Sequence, residues 1–208
     1  MSVIERIAFY RGIRDEVPNQ ELARELAEAG DADGVKEIAG HLWDKNANVR
    51  SDCLKVLYET GYLAPALIAP YAEDFLKLLT NRQNRLVWGA MIALSCVATL
   101  QADKLFESRD LICKTIDQGS VITQDGGVKT LALVASVDKK YQEALTPYLM
   151  GFLRKCRQSD VPRHAEFIEV CVDESNKAEF TAILNHRLAE ASPAQAARIK
   201  KILKRMSS

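Results

Sequence analysis

The side chains best suited to acid–base or nucleophilic chemistry are three histidines and five cysteines. His41, His164 and His186 fall on separate predicted helices, and no His-x-x-x-His pair occurs. Cys171 and His164 share one predicted helix but lie two turns apart. This is about 10.5 Å along the axis, too far for the hydrogen bond of a Cys–His nucleophile. We therefore assign no catalytic residue.

The cysteines have neither metal-binding nor disulfide spacing, since the sequence contains no Cys-x-x-Cys. Each lies within an apolar helical pattern, where a free cysteine behaves as a small hydrophobic residue. The cysteines are Cys53, Cys96, Cys113, Cys156 and Cys171. The sequence predicts no metal site, no cofactor and a reducing, cytoplasmic setting.

Glycine motifs that bind phosphate are also missing. Asp125-Gly126-Gly127 contains two adjacent glycines but lacks the Lys-Ser/Thr that follows them in a Walker A loop. Neither Gly-x-Gly-x-x-Gly nor Gly-x-Ser-x-Gly occurs. We interpret the glycine pair as a place where two helices approach closely.

The composition of the 208 residues is that of a globular protein, with 48% hydrophobic and 27% charged residues. Lys and Arg total 28, as do Asp and Glu, so the formal charge is zero. This balance lacks the cationic surplus that attracts nucleic acid phosphates. Ten glycines and six prolines are too few for a many-stranded all-β fold.

Neither a secretory signal nor a membrane span is predicted. The first residues, Met1-Ser-Val-Ile-Glu-Arg, become charged without an apolar run. The uncharged stretch from Leu86 to Ala102 is 17 residues long and spans roughly 25 Å as a helix, which is short of the hydrocarbon core. We expect it to form a helix buried between neighbours.

Helical periodicity dominates the chain, with short loops between paired helices. Capping residues and breakers predict the bounds of the helices. The predicted helices run from a Ser2-x-x-Glu5 capping box to near Gly12, from Asn19 as N-cap to Ala29 before Gly30, over Val35–Trp43, over Val49–Thr60 before Gly61, and over Pro65–Thr80 with a bend at Pro70. Ser192-Pro193-Ala-Gln195 predicts a second capping box, which opens a terminal helix.

The helix pairs repeat with a step of 37 residues. Four sets of apolar residues share equivalent positions, and a fixed step of this size is typical of stacked helical repeats. The sets are Leu57, Leu94, Leu131 and Ile168; Leu54, Met91, Val128 and Ala165; Ile38, Phe75, Ile112 and Leu149; and Leu42, Leu79, Ile116 and Leu153.

Asp44-x-x-x-x-Val49-Arg50, followed by Cys53 and Val56-Leu57, resembles the second helix of a HEAT repeat, and Pro70 is similar to the bend of the first helix. The chain thus resembles the HEAT/armadillo-type superfamily. The resemblance implies an all-α, right-handed α-α superhelix of about five helix pairs. We expect one domain over 1–208, with capping helices in 1–33 and 173–208 around four repeats in 34–172.

The repeat register also identifies the residues of each second helix that point away from the apolar slot. The resemblance implies that second helices line a concave surface, with Trp88 and Ile92 at its middle. An aromatic anchor between lysines suits a protein or peptide partner. The alternative is that Trp88 packs down between helices. The predicted partner-binding residues are Ser51, Lys55, Tyr58, Trp88, Ile92, Asp125 and Lys129.

Two functions remain open. The first is a non-catalytic scaffold that binds a protein or peptide, with no membrane partner. The alternative is a DNA-binding enzyme, because Leu42-Trp43-Asp44 is similar to a segment of the HEAT-like alkylpurine DNA glycosylases; bilin-lyase-like HEAT proteins are a third class. The basic stretch Arg198–Arg205 is open to nucleic acid, but its amphipathic spacing favours a terminal cap.

Overall fold

A computed structural model describes residues 2–207, and the two ends of the predicted 1–208 domain, Met1 and Ser208, lie outside it. The described chain divides into two compact units. Unit 1 contains residues 2–101 and 108–127, and unit 2 contains residues 102–107 and 128–207. The chain passes between the units at three points, after residues 101, 107 and 127, and the last of these lies within a helix.

The regular elements are α-helices joined by short loops or 3-10 turns. The helices of unit 1 are α1 (Val17–Ala29), α2 (Ala32–Gly40), α3 (Ala47–Leu63), α4 (Pro65–Ile68), α5 (Ala72–Leu78), α6 (Asn84–Val97) and α8 (Arg109–Gln118), and unit 2 contains α7 (Ala102–Glu107), α10 (Lys139–Lys155), α11 (Val161–Ile168), α12 (Lys177–Leu188) and α13 (Pro193–Met206). Helix α9 (Val121–Ala135) crosses the boundary. No helix within residues 2–207 is both long and apolar enough to cross a bilayer.

The 37-residue pattern describes the core. All sixteen residues of the four predicted sets are buried, and the most exposed of them, Leu79, shows 5% of its surface. Fully burying a Leu or Ile side chain contributes about 1.5–3 kcal/mol. The repeated slots therefore supply a large share of the apolar burial that stabilises these helices.

In unit 1, each second helix packs on its own first helix and on neighbouring second helices. Helix α3 contacts α1, α2 and α6, and α5 contacts α6. Arg50 joins consecutive repeats, because its guanidinium donates to the Asp44 carbonyl at 2.6 Å and to Gln83 Oε1 at 2.8 Å. The predicted Asp-to-Arg motif thus closes the turn before α3 and reaches the start of α6.

The N-terminal helix predictions need correction. Only a 3-10 turn, Val3–Arg6, forms where a helix to Gly12 was expected. Ser2 donates its hydroxyl hydrogen bond to Glu37 of α2 rather than pairing with Glu5, and Glu37 Oε1 also accepts from the Ile4 amide at 3.0 Å. The carboxylate of Glu37, which is distant in sequence, therefore takes the place of the predicted capping box.

Helix α1 begins at Val17, with Glu16 at the N-cap position, so the prediction that Asn19 caps this helix is wrong. Asn19 is buried in the first turn, where its Oδ1 accepts from the Ala8 amide at 2.9 Å. Gly30 ends the helix in the left-handed conformation, as predicted, with φ at 62°.

Two further helix ends differ from the predictions. Helix α3 continues through Gly61 to Leu63, and Gly61 serves packing, because a Cβ there would lie 2.4 Å from Ile68 Cδ1. Helix α2 ends at Gly40 and gives way to a 3-10 turn over His41–Trp43. The predicted bend at Pro70 is confirmed, since a 3-10 turn, Ala69–Tyr71, separates α4 from α5.

The glycine pair in α9 is a site of close helix contact, as predicted. A Cβ on Gly127 would lie 2.3 Å from the side chain of Ile116 in α8, and one on Gly126 would lie 3.2 Å from the Met91 backbone in α6. Both contacts fall within unit 1. No larger side chain fits here without displacing a neighbouring helix.

In unit 2, α13 covers α11 and α12, as expected of a terminal cap. The predicted capping box at Ser192 and Gln195 is present in full, and Ile199 and Ile202 are buried. Arg198 forms a forked ion pair with Glu166 of α11.

Arg187 of α12 is 8% exposed and satisfies the C-terminal end of α10. Its guanidinium donates to the carbonyls of Leu153 at 2.9 Å, Arg154 at 2.6 Å and Cys156 at 2.6 Å. Its Nε also donates to Gln158 Oε1 at 3.0 Å. The last carbonyls of a helix have no partner within the helix, so one buried side chain performs the capping.

We predict that Arg187→Met lowers the free energy of unfolding by about 2–4 kcal/mol, because buried carbonyls lose their donors. Arg154→Met is the matched control. Arg154 pairs with Glu179 on the surface, so its loss costs about 0–1 kcal/mol. Urea denaturation of both variants checks the prediction, and equal losses would contradict the capping role of Arg187.

Candidate partner-binding site

The structure places six of the seven predicted partner-binding residues in unit 1. Ser51, Lys55 and Tyr58 lie on α3, Trp88 and Ile92 lie on α6, and Asp125 lies in the first turn of α9. Lys129 belongs to unit 2. Five of the seven residues thus lie on α3 and α6.

Lys55 is 7% exposed, where a solvent-facing lysine was expected. Its ammonium pairs with Glu59 one turn along α3 at 2.6 Å and with Glu16 at 2.9 Å. Arg85 of α6 also contacts Glu16, at 2.8 Å. The four side chains form a chain of alternating charges, Arg85–Glu16–Lys55–Glu59, that neutralises the lysine.

The ionisation of Lys55 follows from this surrounding. Burial alone lowers the pKa of the ammonium, but Glu59, the Tyr58 hydroxyl and Glu16 together outweigh burial, so the pKa lies above its ordinary value. Lys55 consequently stays charged over the whole physiological range. It also lies over the ring of Tyr58, 4.9 Å from the centroid.

Three aromatic side chains form a row beside this chain of charges. The rings of Tyr58 and Trp88 are 6.2 Å apart, and those of Tyr58 and Tyr62 are 6.1 Å apart. Tyr58 is buried, Trp88 is partly exposed and Tyr62 is 52% exposed. Trp88 therefore packs against its neighbour with one part of its ring and presents another part to solvent.

The sequence reasoning missed Tyr62, Glu59 and Glu16. Two of them carry a local signal, since Tyr62 is four residues after Tyr58 and Glu59 is four residues after Lys55 on the same helix face. Glu16 precedes α1 and carries no such signal. Only the packing of α1 on α3 brings it to Lys55.

A polar cavity of about 450 Å³ adjoins the end of the chain of charges. Arg85, Glu16 and Asp52 contribute to its wall, together with the turn around Gly12. Asp52 Oδ2 accepts from the Phe9 amide at 2.8 Å, which fixes the N-terminal segment over the first turns of α3. All of these residues belong to unit 1.

The corresponding face of the fourth repeat is covered within unit 2. Glu166 and Glu169, which occupy the slots of Lys55 and Tyr58 three steps later, form ion pairs with Arg198 and Arg205 of α13. Two of the cations in the basic stretch Arg198–Arg205 therefore already pair with glutamates of the same chain.

The histidine and cysteine candidates do not assemble into a reactive group. His164 is buried with its ring 5.2 Å from that of Phe152. Cys171 Sγ donates to the Ile168 carbonyl at 3.1 Å, and burial raises the pKa of the thiol to about 12. Across residues 2–207, no three His, Cys, Asp or Glu side chains are grouped to hold a metal ion.

Comparison with known proteins gives a clear result for the fold. An engineered protein is 17% identical and superimposes with a TM-score of 0.68 over 100% of this chain and 97% of its own. A designed armadillo repeat protein in complex with the peptide (KR)4 is 17% identical, with a TM-score of 0.67 over 89% of this chain and 85% of its own. The fold is that of an armadillo/HEAT-type repeat solenoid.

A computationally designed armadillo repeat protein for modular peptide recognition is similar at 16% identity and a TM-score of 0.66, over 88% of this chain and 85% of its own. No family model and no curated protein matches the sequence. The predicted all-α solenoid class is confirmed by these structures, and identities this low establish the fold alone.

We predict that Lys55→Met lowers the free energy of unfolding by about 1–2 kcal/mol, because Glu16 and Glu59 lose their shared cation. Lys129→Met is the matched control. Lys129 occupies the equivalent slot two steps later and is partly exposed, so we expect a change within about 0.5 kcal/mol.

The loss in Lys55→Met is also expected to depend on pH. Because the pKa of Lys55 is higher in the folded state than in the unfolded chain, its ion pairs contribute their full stabilisation at any pH below the unfolded pKa. This contribution is lost as the pH rises through the folded-state pKa. Urea denaturation between pH 9 and 12 measures the start of this decline, which begins above the unfolded lysine pKa of about 10.4. A difference between wild type and Lys55→Met that grows with pH would contradict the ion-pair chain.

Proposed function

We propose that this protein is a non-catalytic repeat scaffold that binds a protein or peptide segment along the α3 and α6 face of unit 1. The observation that carries the proposal is the aromatic row of Tyr62, Tyr58 and Trp88, which is partly open to solvent, with Trp88 in a slot that is polar in the two adjacent repeats. The residues one step away from Trp88 are Ser51 and Asp125. Neither the core nor the repeat requires an indole at this position.

The chain of charges supports this proposal by holding the row in place. Lys55 is neutralised by two carboxylates, and it fixes Tyr58, against which Trp88 packs. A partner thus meets aromatic groups whose rotamers are already restricted, which reduces the entropy lost on binding. The polar cavity beside Glu16 and Arg85 offers room for one side chain of the same segment.

The structural neighbours support the type of function. One designed armadillo repeat protein is in complex with a peptide, and another was designed for modular peptide recognition. By analogy of fold, the face of consecutive second helices is our choice for the binding surface here. A cytoplasmic location belongs to the same proposal and is supported by five free cysteines.

We predict that a random 12-residue peptide display library, selected against the wild-type protein, yields sequences that bind with micromolar affinity. Trp88→Ala should weaken these peptides by about tenfold or more, because a buried aromatic anchor typically contributes over 1 kcal/mol. Fluorescence anisotropy of synthetic peptides measures the dissociation constants.

Leu100→Ala provides the control, since Leu100 is an exposed residue that lies outside the aromatic row. Its peptide affinities should match those of the wild type. The proposal fails if no sequence is enriched, or if enriched peptides bind Trp88→Ala as tightly as the wild type.

A further inference from the structure

The second tryptophan is the more exposed of the two. Trp43 ends the 3-10 turn after α2 and shows 52% of its surface. Leu42, its neighbour, is fully buried, so the turn directs one residue into the core and the next one out. Residues at the equivalent slots, Thr80 and Asp117, are exposed and polar. The repeat therefore does not need a large apolar side chain here.

Trp43 lies among acidic and aromatic side chains from two consecutive repeats of unit 1. Its Nε1 donates to Asp74 Oδ1 of α5 at 3.4 Å. Tyr71 lies in the turn before α5 and is partly buried, and burial and then the charges of Asp74 and Asp33 raise the pKa of its hydroxyl. The Trp43 patch consists of Trp43, Tyr71, Asp33 and Asp74.

Within residues 2–207, neither carboxylate of the patch, Asp33 or Asp74, is held in an ion pair with a Lys or Arg side chain, although the charge of Lys77 acts on Asp74. Lys77, the cation nearest to Asp74 on α5, pairs instead with Glu73 at 2.9 Å. The patch thus combines two aromatic rings with two carboxylates that no ion pair engages in the described part of the chain.

We propose that the Trp43 patch is a second docking surface, which takes an arginine side chain of a partner protein. A guanidinium stacks on an indole face and donates in the plane to a carboxylate, so it satisfies both kinds of group at once. Lysine offers a compact charge without the planar stack. This surface is formed by first-helix turns and is separate from the aromatic row of α3 and α6.

The protein contains two tryptophans, which makes each surface separately observable. In Trp88→Phe, Trp43 is the sole tryptophan and reports on the patch through its fluorescence and its indole NMR signal. The probe is a capped Gly-Arg-Gly-Arg-Gly peptide, and the matched peptide contains citrulline, which keeps the shape of arginine without its charge.

We predict that the arginine peptide shifts the Trp43 signal in a saturable manner, with an affinity about tenfold or more above that of the citrulline peptide. Asp74→Asn should weaken the arginine peptide about fivefold or more, since the amide oxygen still accepts from Trp43 but the charge is gone. Asp110→Asn, which removes an exposed carboxylate of α8 outside the patch, should change the affinity by less than about twofold.

Three results would overturn this inference. They are no saturable shift of Trp43, equal affinity for the arginine and citrulline peptides, and unchanged affinity in Asp74→Asn. A shift seen in Trp43→Phe, where Trp88 reports, but not in Trp88→Phe would assign the cation to the aromatic row. That result would leave the proposed scaffold function standing and reject the Trp43 patch.

Discussion

A single helix pair in this chain cannot bury its own apolar stripe, and the rest of the structure depends on this constraint. Second helices solve the problem by packing on the second helices before and after them, as α3 does with α1 and α6. The 37-residue step keeps the slot of Leu57 and Leu94 in line through consecutive repeats. Stability is therefore distributed over many equivalent contacts between neighbours.

The repeat explains which parts could be predicted from sequence. The slots of Leu57 and Leu94 were identified because they recur, and a recurring apolar residue has one simple explanation, a shared core. The Gly30 stop and the Ser192 capping box were also predicted correctly, since their signals are local. The predictions at Ser2, Asn19 and Gly61 were wrong because tertiary partners use the same residue types for other contacts.

The candidate site was only partly predictable for a related reason. Register selected Lys55 and Trp88 as residues facing away from the slot, but it carries no information on which charge lies across from Lys55. Glu16 reaches it from outside the repeat, through the packing of α1. A lysine that sequence alone suggests as a contact for a partner is thus an internal support for Tyr58.

Both proposed surfaces follow from departures from the repeat. Trp43 and Trp88 occupy slots that hold Thr80 and Ser51 in neighbouring repeats, so packing does not explain either indole. The two sites differ in their electrostatics, because the charges of the Arg85–Glu16–Lys55–Glu59 chain are joined in ion pairs, whereas Asp33 and Asp74 of the Trp43 patch form none with the described residues. In our proposals, this difference assigns arginine to the Trp43 patch and leaves shape and aromatic contact to determine recognition at the aromatic row.

Residues at equivalent slots of the stacked repeats should perform the same structural task. The most direct measurement is the free energy of unfolding of Leu57→Ala and Leu94→Ala, compared with Leu63→Ala and Leu100→Ala. The latter two leucines lie six residues later in the same repeats and are exposed. We expect losses of about 2–5 kcal/mol for each slot variant and changes within about 0.5 kcal/mol for each exposed one. Similar values for all four variants would contradict the stacked-repeat core.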